Sequence, residues 1–361
     1  MVLKSLPTQH RTTAKVHYAI IDVFSTTPYR GKRLAVVDNT SETLKDDHMK
    51  LISRELNLPA TTFFNSVVPG VVYHLHSFLP TGTELVDPVG HHTIGAWWHL
   101  ANSGLLDFSS TFRPDRPCHP DEYLFIMDFG SQHQLCYVKV RRTLGPEKFV
   151  VTLRQADAEF GRVSPDGDGL VASLGIQDKH IGWRNLEDIR RLRPQVVVAG
   201  RAKYLYVPVS SLDNLRRVSD KEDGTFNQLR TKSDQETALV VFCRHWDNTY
   251  HARCSNQPGL AGEDPASPNA AGLLAAYLHR HRCLGLRADA SDVDDLTTIW
   301  VRQGKDVGKD CVMQVVLRPG DGFAGGRPYS VEIAGGAVEV ASGMMVVPSL
   351  GPGATECWKG R

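Results

Sequence analysis

The stretch Asp87–Ala101, DPVGHHTIGAWWHLA, opens on an Asp-Pro turn and runs straight into a segment that is apolar on every side. Ile94, Ala96, Trp97, Trp98 and Leu100 occupy all faces of a 3.6-residue period, so the spacing predicts a helix over 92–101 that is enclosed by protein. A second stretch, Asp264–Leu278, DPASPNAAGLLAAYL, follows the same plan. In each copy a glycine stands eight positions after the aspartate, Gly95 in the first and Gly272 in the second, and the second apolar helix is expected over 270–279. Two Asp-Pro signals that each open an all-apolar helix predict a duplicated architecture. The two helix N-termini then face each other across a cleft, where unpaired N–H groups and positive dipole ends favour a carboxylate, an enolate or a developing oxyanion. His91 and His92 line one side of that cleft, with one of the pair expected to turn away, and Asp264 and Asn269 line the other. The plainer roles are an N-cap or turn former for Asp264 and a locally satisfied helix-end imidazole for His91.

Strand-like sequence surrounds both helices. Val16–Phe24 and Leu34–Val37, joined by the turn-rich STTPYRGKR, predict a hairpin. Met49, Ile52 and Leu56 recur at helical spacing behind Asp46 and Asp47, and Pro59 stops that helix. Strands are expected at Thr61–Phe64 and Val71–Phe78, then at LFIMDF, QLCYVKV and FVVTL after the first apolar helix. The Pro-, Gly- and Asp-bearing stretch RVSPDGDG marks a boundary near residue 160, which divides the chain into 1–155 and 156–361 with the last strand free to return to the first half. The second half repeats the style, with strands at Val196–Ala199, Tyr204–Val209 and Ala238–Arg244.

Composition removes several function classes. A chain of 361 residues has ample material for a large core and two domains. Lys+Arg 41 against Asp+Glu 40, with no long basic block, lacks the electrostatic footprint of a nucleic-acid binder. The first twenty residues lack the apolar core of a secretory signal and no apolar run approaches a membrane span, so the chain reads as cytoplasmic. Seven cysteines at irregular spacing contain no C-x-x-C pair and no Cys/His zinc spacing, so no metal is assigned. The expected partner is a small molecule, and a homodimer is compatible with the composition.

Four segments in order resemble landmarks of the PhzF-like family, named for phenazine biosynthesis: DVFSTTPYRGKRLAVV, SRELNLPATTFF, FLPTGTELVDPVGHHTIGAWW and GEDPASPNAAGLLAAYL. The resemblance runs from about residue 16 to at least 280, and GRPYSVEI fits the family's closing strands. It implies an α+β fold of the diaminopimelate-epimerase type: two pseudo-symmetric domains, each a mostly antiparallel sheet or barrel wrapped around a central helix. It also implies isomerase, epimerase or racemase activity without a cofactor, at a site between the halves.

Carrying the family's residues over one at a time exposes departures. Gly90 and His91 match the family's Gly-His, Asp264 its EDP aspartate, and Asn269 the serine of EDPVTGSA; His92 replaces the next proline, and Lys32 the asparagine of the GNP loop. The family's acid/base glutamate is matched by Ala60, and Glu55 belongs to the separate RELN position. An alanine cannot accept a proton. The loop before His91 is one residue longer than the family's and carries Asp87, which either replaces the lost carboxylate or only forms the turn before Pro88. Neither helix start bears a cysteine, which removes the two-thiol route.

These residues leave three kinds of function. The first is an isomerase or cyclase of a biosynthetic pathway, with secondary metabolism as the expected setting, in which His91, Asp264 and Asp87 are catalytic while Gly90, His92, Asn269 and Ala60 line the substrate. The second is a pericyclase-type enzyme that accelerates a concerted ring closure through orientation and polarisation. The third is a non-catalytic binding protein derived from an isomerase.

Overall fold

The computed structural model describes residues 14–111, 120–163, 174–182, 192–218, 237–256, 262–284, 296–319 and 329–347. Much of the boundary stretch RVSPDGDG and two of the seven cysteines, Cys118 and Cys357, lie outside the described residues.

The first half is built from β1 (Lys15–Val23), β2 (Lys32–Asp38), α1 (Asp46–Leu56), β3 (Thr61–Val68), β4 (Val72–Phe78), α2 (His91–Asn102), β5 (Glu122–Phe129), β6 (Gln134–Arg142) and β7 (Phe149–Arg154). The second contains β8 (Glu159–Val163), β9 (Gln195–Ala199), β10 (Ala202–Pro208), α3 (Leu212–Arg217), β11 (Ala238–Arg244), β12 (Thr249–Ser255) and β13 (Glu263–Asp264). It continues through α4 (Pro268–Arg280), β14 (Thr297–Gln303), β15 (Cys311–Pro319) and β16 (Tyr329–Gly335), and the chain closes with β17 (Ala337–Val346).

Strand pairing follows one order twice. β1 and β2 form an antiparallel hairpin, β2 and β3 run parallel across α1, β3 and β4 are antiparallel, and β4 and β5 run parallel across α2. Antiparallel β5, β6 and β7 complete the half. In the second half β9 and β10 form the hairpin, β10 and β11 run parallel across α3, and β11 and β12 are antiparallel. β12 and β14 run parallel across α4, with antiparallel β14, β15 and β16 following. A helix occupies each parallel crossover because parallel neighbours cannot be joined by a tight turn. The duplication expected from the two Asp-Pro stretches is therefore present in the topology.

The halves are sewn together at their edges. β7 pairs antiparallel with β16, and β17 returns to pair antiparallel with β1, as β8 does with β9. The last strand thus stands in the first half where β8 stands in the second.

Both central helices are enclosed, as their apolar faces require. Ten of the twelve residues of α2 are buried, and its walls are β1, β2, β3, β6, β7 and β17. Fully buried Trp97 packs edge-on to Tyr73 and tilted on Phe125, and burial of such a side chain contributes on the order of 2–3 kcal/mol. Gly95 and Gly272 are each the fifth residue of their helix, and neither position has space for a side chain. A Cβ on Gly95 would lie 2.6 Å from Leu34 and 2.7 Å from Val23, while one on Gly272 would strike the Gln155 amide. The repeated glycine of the sequence pattern is thus a close-packing position in both halves. By contrast α1 lies on the outside, starting at Asp46 and Asp47 and ending at Asn57, whose φ of 47° places it in the left-handed region. Its buried Met49 and Ile52 pack with Phe63 and Phe78.

Candidate active site

The loop before α2 and the loop before α4 meet where the halves join. Asn269, the second residue of α4, donates through Nδ2 to Asp87 Oδ2 at 2.9 Å and to the Val89 carbonyl at 3.0 Å. The Asp87 carboxylate also accepts from the Val89 amide at 2.9 Å. Thus Asp87 is held from both halves. Burial raises its pKa above the ordinary aspartate value, opposed by those hydrogen bonds and by the nearby Arg201 charge.

Asp264 is engaged differently. Its Oδ1 lies 2.6 Å from Lys32 Nζ and accepts from the Ala266 amide at 3.0 Å; Lys32 also donates to the Ala266 carbonyl at 3.0 Å. The Lys32 and Asp264 side chains are only 10% and 9% exposed, so this is a buried ion pair joining β2 to the approach of α4. Gln303 fixes the same loop by donating to the Asp264 carbonyl at 2.7 Å, and the Tyr204 hydroxyl lies 3.0 Å from Ser267 Oγ, the N-cap of α4.

The two histidines have different surroundings. Both are buried, with rings 5.9 Å apart and nearly perpendicular. His92 folds back so that its Nε2 lies 3.1 Å from the Asp87 carbonyl, and its ring packs on Phe129 at 5.5 Å. That position leaves no room for a Cβ on Gly90, which explains the glycine by close approach, since its φ of −170° is open to any residue. Burial pushes the His92 pKa down to about 4. His91 starts α2, and its Nε2 is buried without a hydrogen-bond partner among the described residues. Burial, then the Lys32 charge, holds His91 well below the ordinary imidazole value, so it is neutral near pH 7.

Ala60 is completely buried in the large core cluster, where its carbonyl accepts from the Ala35 amide at 3.2 Å. Glu55 is exposed on α1. His91, His92, Asp87, Asp264, Gly90 and Asn269 therefore gather around the meeting of the two helix N-termini, while Ala60 lies in the hydrophobic core. Sequence reasoning did not place Lys32, Tyr204 or Gln303 in the site. The departure at the GNP position was the available signal for Lys32, whereas Tyr204 and Gln303 are single positions on strands that are brought in by the tertiary fold.

A profile of phenazine biosynthesis-like proteins matches residues 21–113. Across nearly the whole chain, a crystal structure of a PhzF-family phenazine biosynthesis protein from Bacillus anthracis superposes with a TM-score of 0.69 at 20% identity, covering 92% of this chain and 100% of that one. The fold is PhzF-like. Another solved PhzF-like structure, of a protein described as a predicted epimerase from Pseudomonas aeruginosa, gives a TM-score of 0.62 at 21% identity over 91% of this chain and 99% of that one. In sequence the chain is 24% identical to an uncharacterized isomerase from Clostridium acetobutylicum over 336 residues, 91% of this chain and 97% of the relative. The PhzF-like fold thus extends well beyond the segment that the profile matches. Among the described residues no helix is long and apolar enough to cross a membrane.

Proposed function

We propose that this protein is a cofactor-independent isomerase that moves a proton on a small molecule held between its two halves, with Asp87 and His91 as the proton-handling pair. The observation that carries the reading is the buried Nε2 of His91 at the start of α2, without a hydrogen-bond partner among the described residues, in a site where Asp87 is held by Asn269 from the other half. A neutral imidazole can give or take a proton, and a carboxylate with a raised pKa is a stronger base than an ordinary one. The charge of Asp264 is balanced by Lys32, so its role is to fix that ammonium beside the site. Lys32 and the amides at the two helix N-termini supply the positive field that an enolate or carboxylate group requires. This assignment moves the lost carboxylate of Ala60 to the lengthened loop of the first half, at Asp87.

The relatives support an isomerase, since one is described by that word and another as an epimerase. The substrate's reacting carbon would carry an acidic proton next to a carbonyl or carboxylate group. Because the site residues are buried, access requires the halves to part at the Asn269 contacts with Asp87 and Val89. A concerted cyclisation is the second reading, favoured by the absence of a carboxylate at the fully buried Ala60.

The test is a mass-spectrometric comparison of metabolite extracts incubated with the wild type, Asp87→Asn and His91→Gln. A compound converted by the wild type, with conversion reduced at least about 100-fold in both variants, matches the usual contribution of a general acid or base. Equal conversion by wild type and both variants would remove the assignment.

A further inference from the structure

On the outer face of the first half the sheet gathers His74, Asp128 and His133. His74 on β4 and Asp128 on β5 are register partners in a parallel pair, and His133 comes from the turn that joins β5 to β6. β4 alternates strictly here: Tyr73 and Leu75 point into the core, so His74 and His76 share the outer face. His133 Nδ1 lies 2.8 Å and His74 Nδ1 3.1 Å from Asp128 Oδ2, and one donor atom from each of the three residues lies within 4.8 Å of the other two.

From this constellation we infer a site for a divalent transition-metal cation, Zn²⁺ in particular, bound by His74, Asp128 and His133. Two imidazoles and one carboxylate form a donor set suited to zinc. Tetrahedral ligands at about 2.05 Å from zinc stand about 3.3 Å from one another, close to the two separations observed. Hydrogen bonding leaves part of the group unsatisfied: Asp128 Oδ1 is buried without a partner among the described residues, and His74 Nδ1 shares, at 3.1 Å, the Oδ2 that His133 already engages. Such orphaned atoms are costly unless something else satisfies them. A cation in the cluster does so, and its charge matches the half-buried Asp128 carboxylate.

The surroundings hold the turn in place. Glu84 Oε1 accepts from the Ser131 amide at 2.6 Å and lies 2.8 Å from His76 Nε2, which ties the loop leading to Asp87 to the turn that carries His133. His133 itself has a φ of 51°, a left-handed conformation that histidine, like asparagine and aspartate, adopts more readily than most residues. With the His133 side chain 72% exposed, the remaining coordination position faces solvent and takes water.

The experiment uses the untagged full chain, stripped with a chelator and titrated with Zn²⁺ by calorimetry and with Co²⁺ by visible absorption. The expected result is one Zn²⁺ per chain, Co²⁺ bands displaced by Zn²⁺, and a thermal midpoint raised by the metal. His133→Asn keeps a residue that tolerates the left-handed turn and removes one ligand, so it should fold normally and bind at least about tenfold more weakly. Asp128→Asn should do the same. Absence of stoichiometric binding in the wild type, or binding of unchanged strength in a folded His133→Asn protein, would overturn the assignment.

Discussion

Replacing Lys32 by methionine tests the ion pair on which the site is built. The wild-type ammonium sits 2.6 Å from Asp264 Oδ1, with both side chains about one-tenth exposed. Methionine keeps the length of the stem and removes the charge, leaving the Asp264 carboxylate with the Ala266 amide as its remaining hydrogen-bond partner among the described residues. A buried charge deprived of its partner typically costs about 3–5 kcal/mol. The loss should therefore be about 3 kcal/mol or slightly more at pH 7, softened by that amide. Asp264→Asn strands the opposite charge and should also destabilise, while the double variant Lys32→Met/Asp264→Leu should lose less than the sum of the single variants. The expected coupling is about 2 kcal/mol, inside the range of about 0.5–3 kcal/mol for contacting residues. Equilibrium urea unfolding followed by near-ultraviolet circular dichroism measures all four proteins under one condition, with comparable slopes as the internal control. A Lys32→Met protein within about 0.5 kcal/mol of wild type, or strictly additive single variants, would refute the reasoning, because that is the behaviour of an exposed pair.

Acid should weaken the fold through His92 and His91, whose folded pKa values are depressed: the unfolded chain takes up protons below about pH 6.5, and the folded chain does not until about pH 4 at His92. For His92 alone the loss across that window is about 3 kcal/mol, and His92→Gln should flatten the corresponding part of a pH series of urea midpoints. Gly95→Ala and Gly272→Ala should each destabilise by roughly 1–3 kcal/mol despite alanine's better helix propensity, because the added methyl meets Leu34 and Val23 in one case and Gln155 in the other. Calorimetric midpoints check this, and a stabilised alanine variant would show spare room between the helix and its surroundings. For the isomerase reaction, kcat/KM should be level from about pH 6 to 8 without the inflection near 6.5 that an ordinary imidazole gives. His91 is neutral throughout that span because burial depresses its pKa.

Much of the architecture was legible in sequence because it is written in local patterns. The all-round apolar runs after Asp87 and Asp264 announce enclosed helices, and the structure places them at His91–Asn102 and Pro268–Arg280. The strand expected at Ala238–Arg244 occupies those same residues. The gathering of polar residues at the helix starts was legible for the same reason: His91, Asp87, Asp264 and Asn269 lie within a few positions of the repeated motif. What escaped is non-local. Lys32 reaches the site from β2, 232 residues from its partner Asp264, and its meaning emerges only when the halves close. The His74, Asp128 and His133 cluster is equally non-local, since it combines two strands and a turn with no Cys/His spacing to announce it. The return of β17 to β1, by contrast, was allowed for in dividing the chain near residue 155, although periodicity alone does not encode a pairing between its opposite ends.

The central claim is that a proton moves to and from substrate carbon between Asp87 and His91. Once the converted compound is known, the most direct measurement is turnover in heavy water followed by nuclear magnetic resonance of the product. Proton transfer predicts solvent deuterium at one defined carbon, with incorporation lost in Asp87→Asn and His91→Gln proteins that remain folded. Rapid turnover that leaves every carbon position unlabelled would contradict the claim and assign the cleft to a concerted cyclisation.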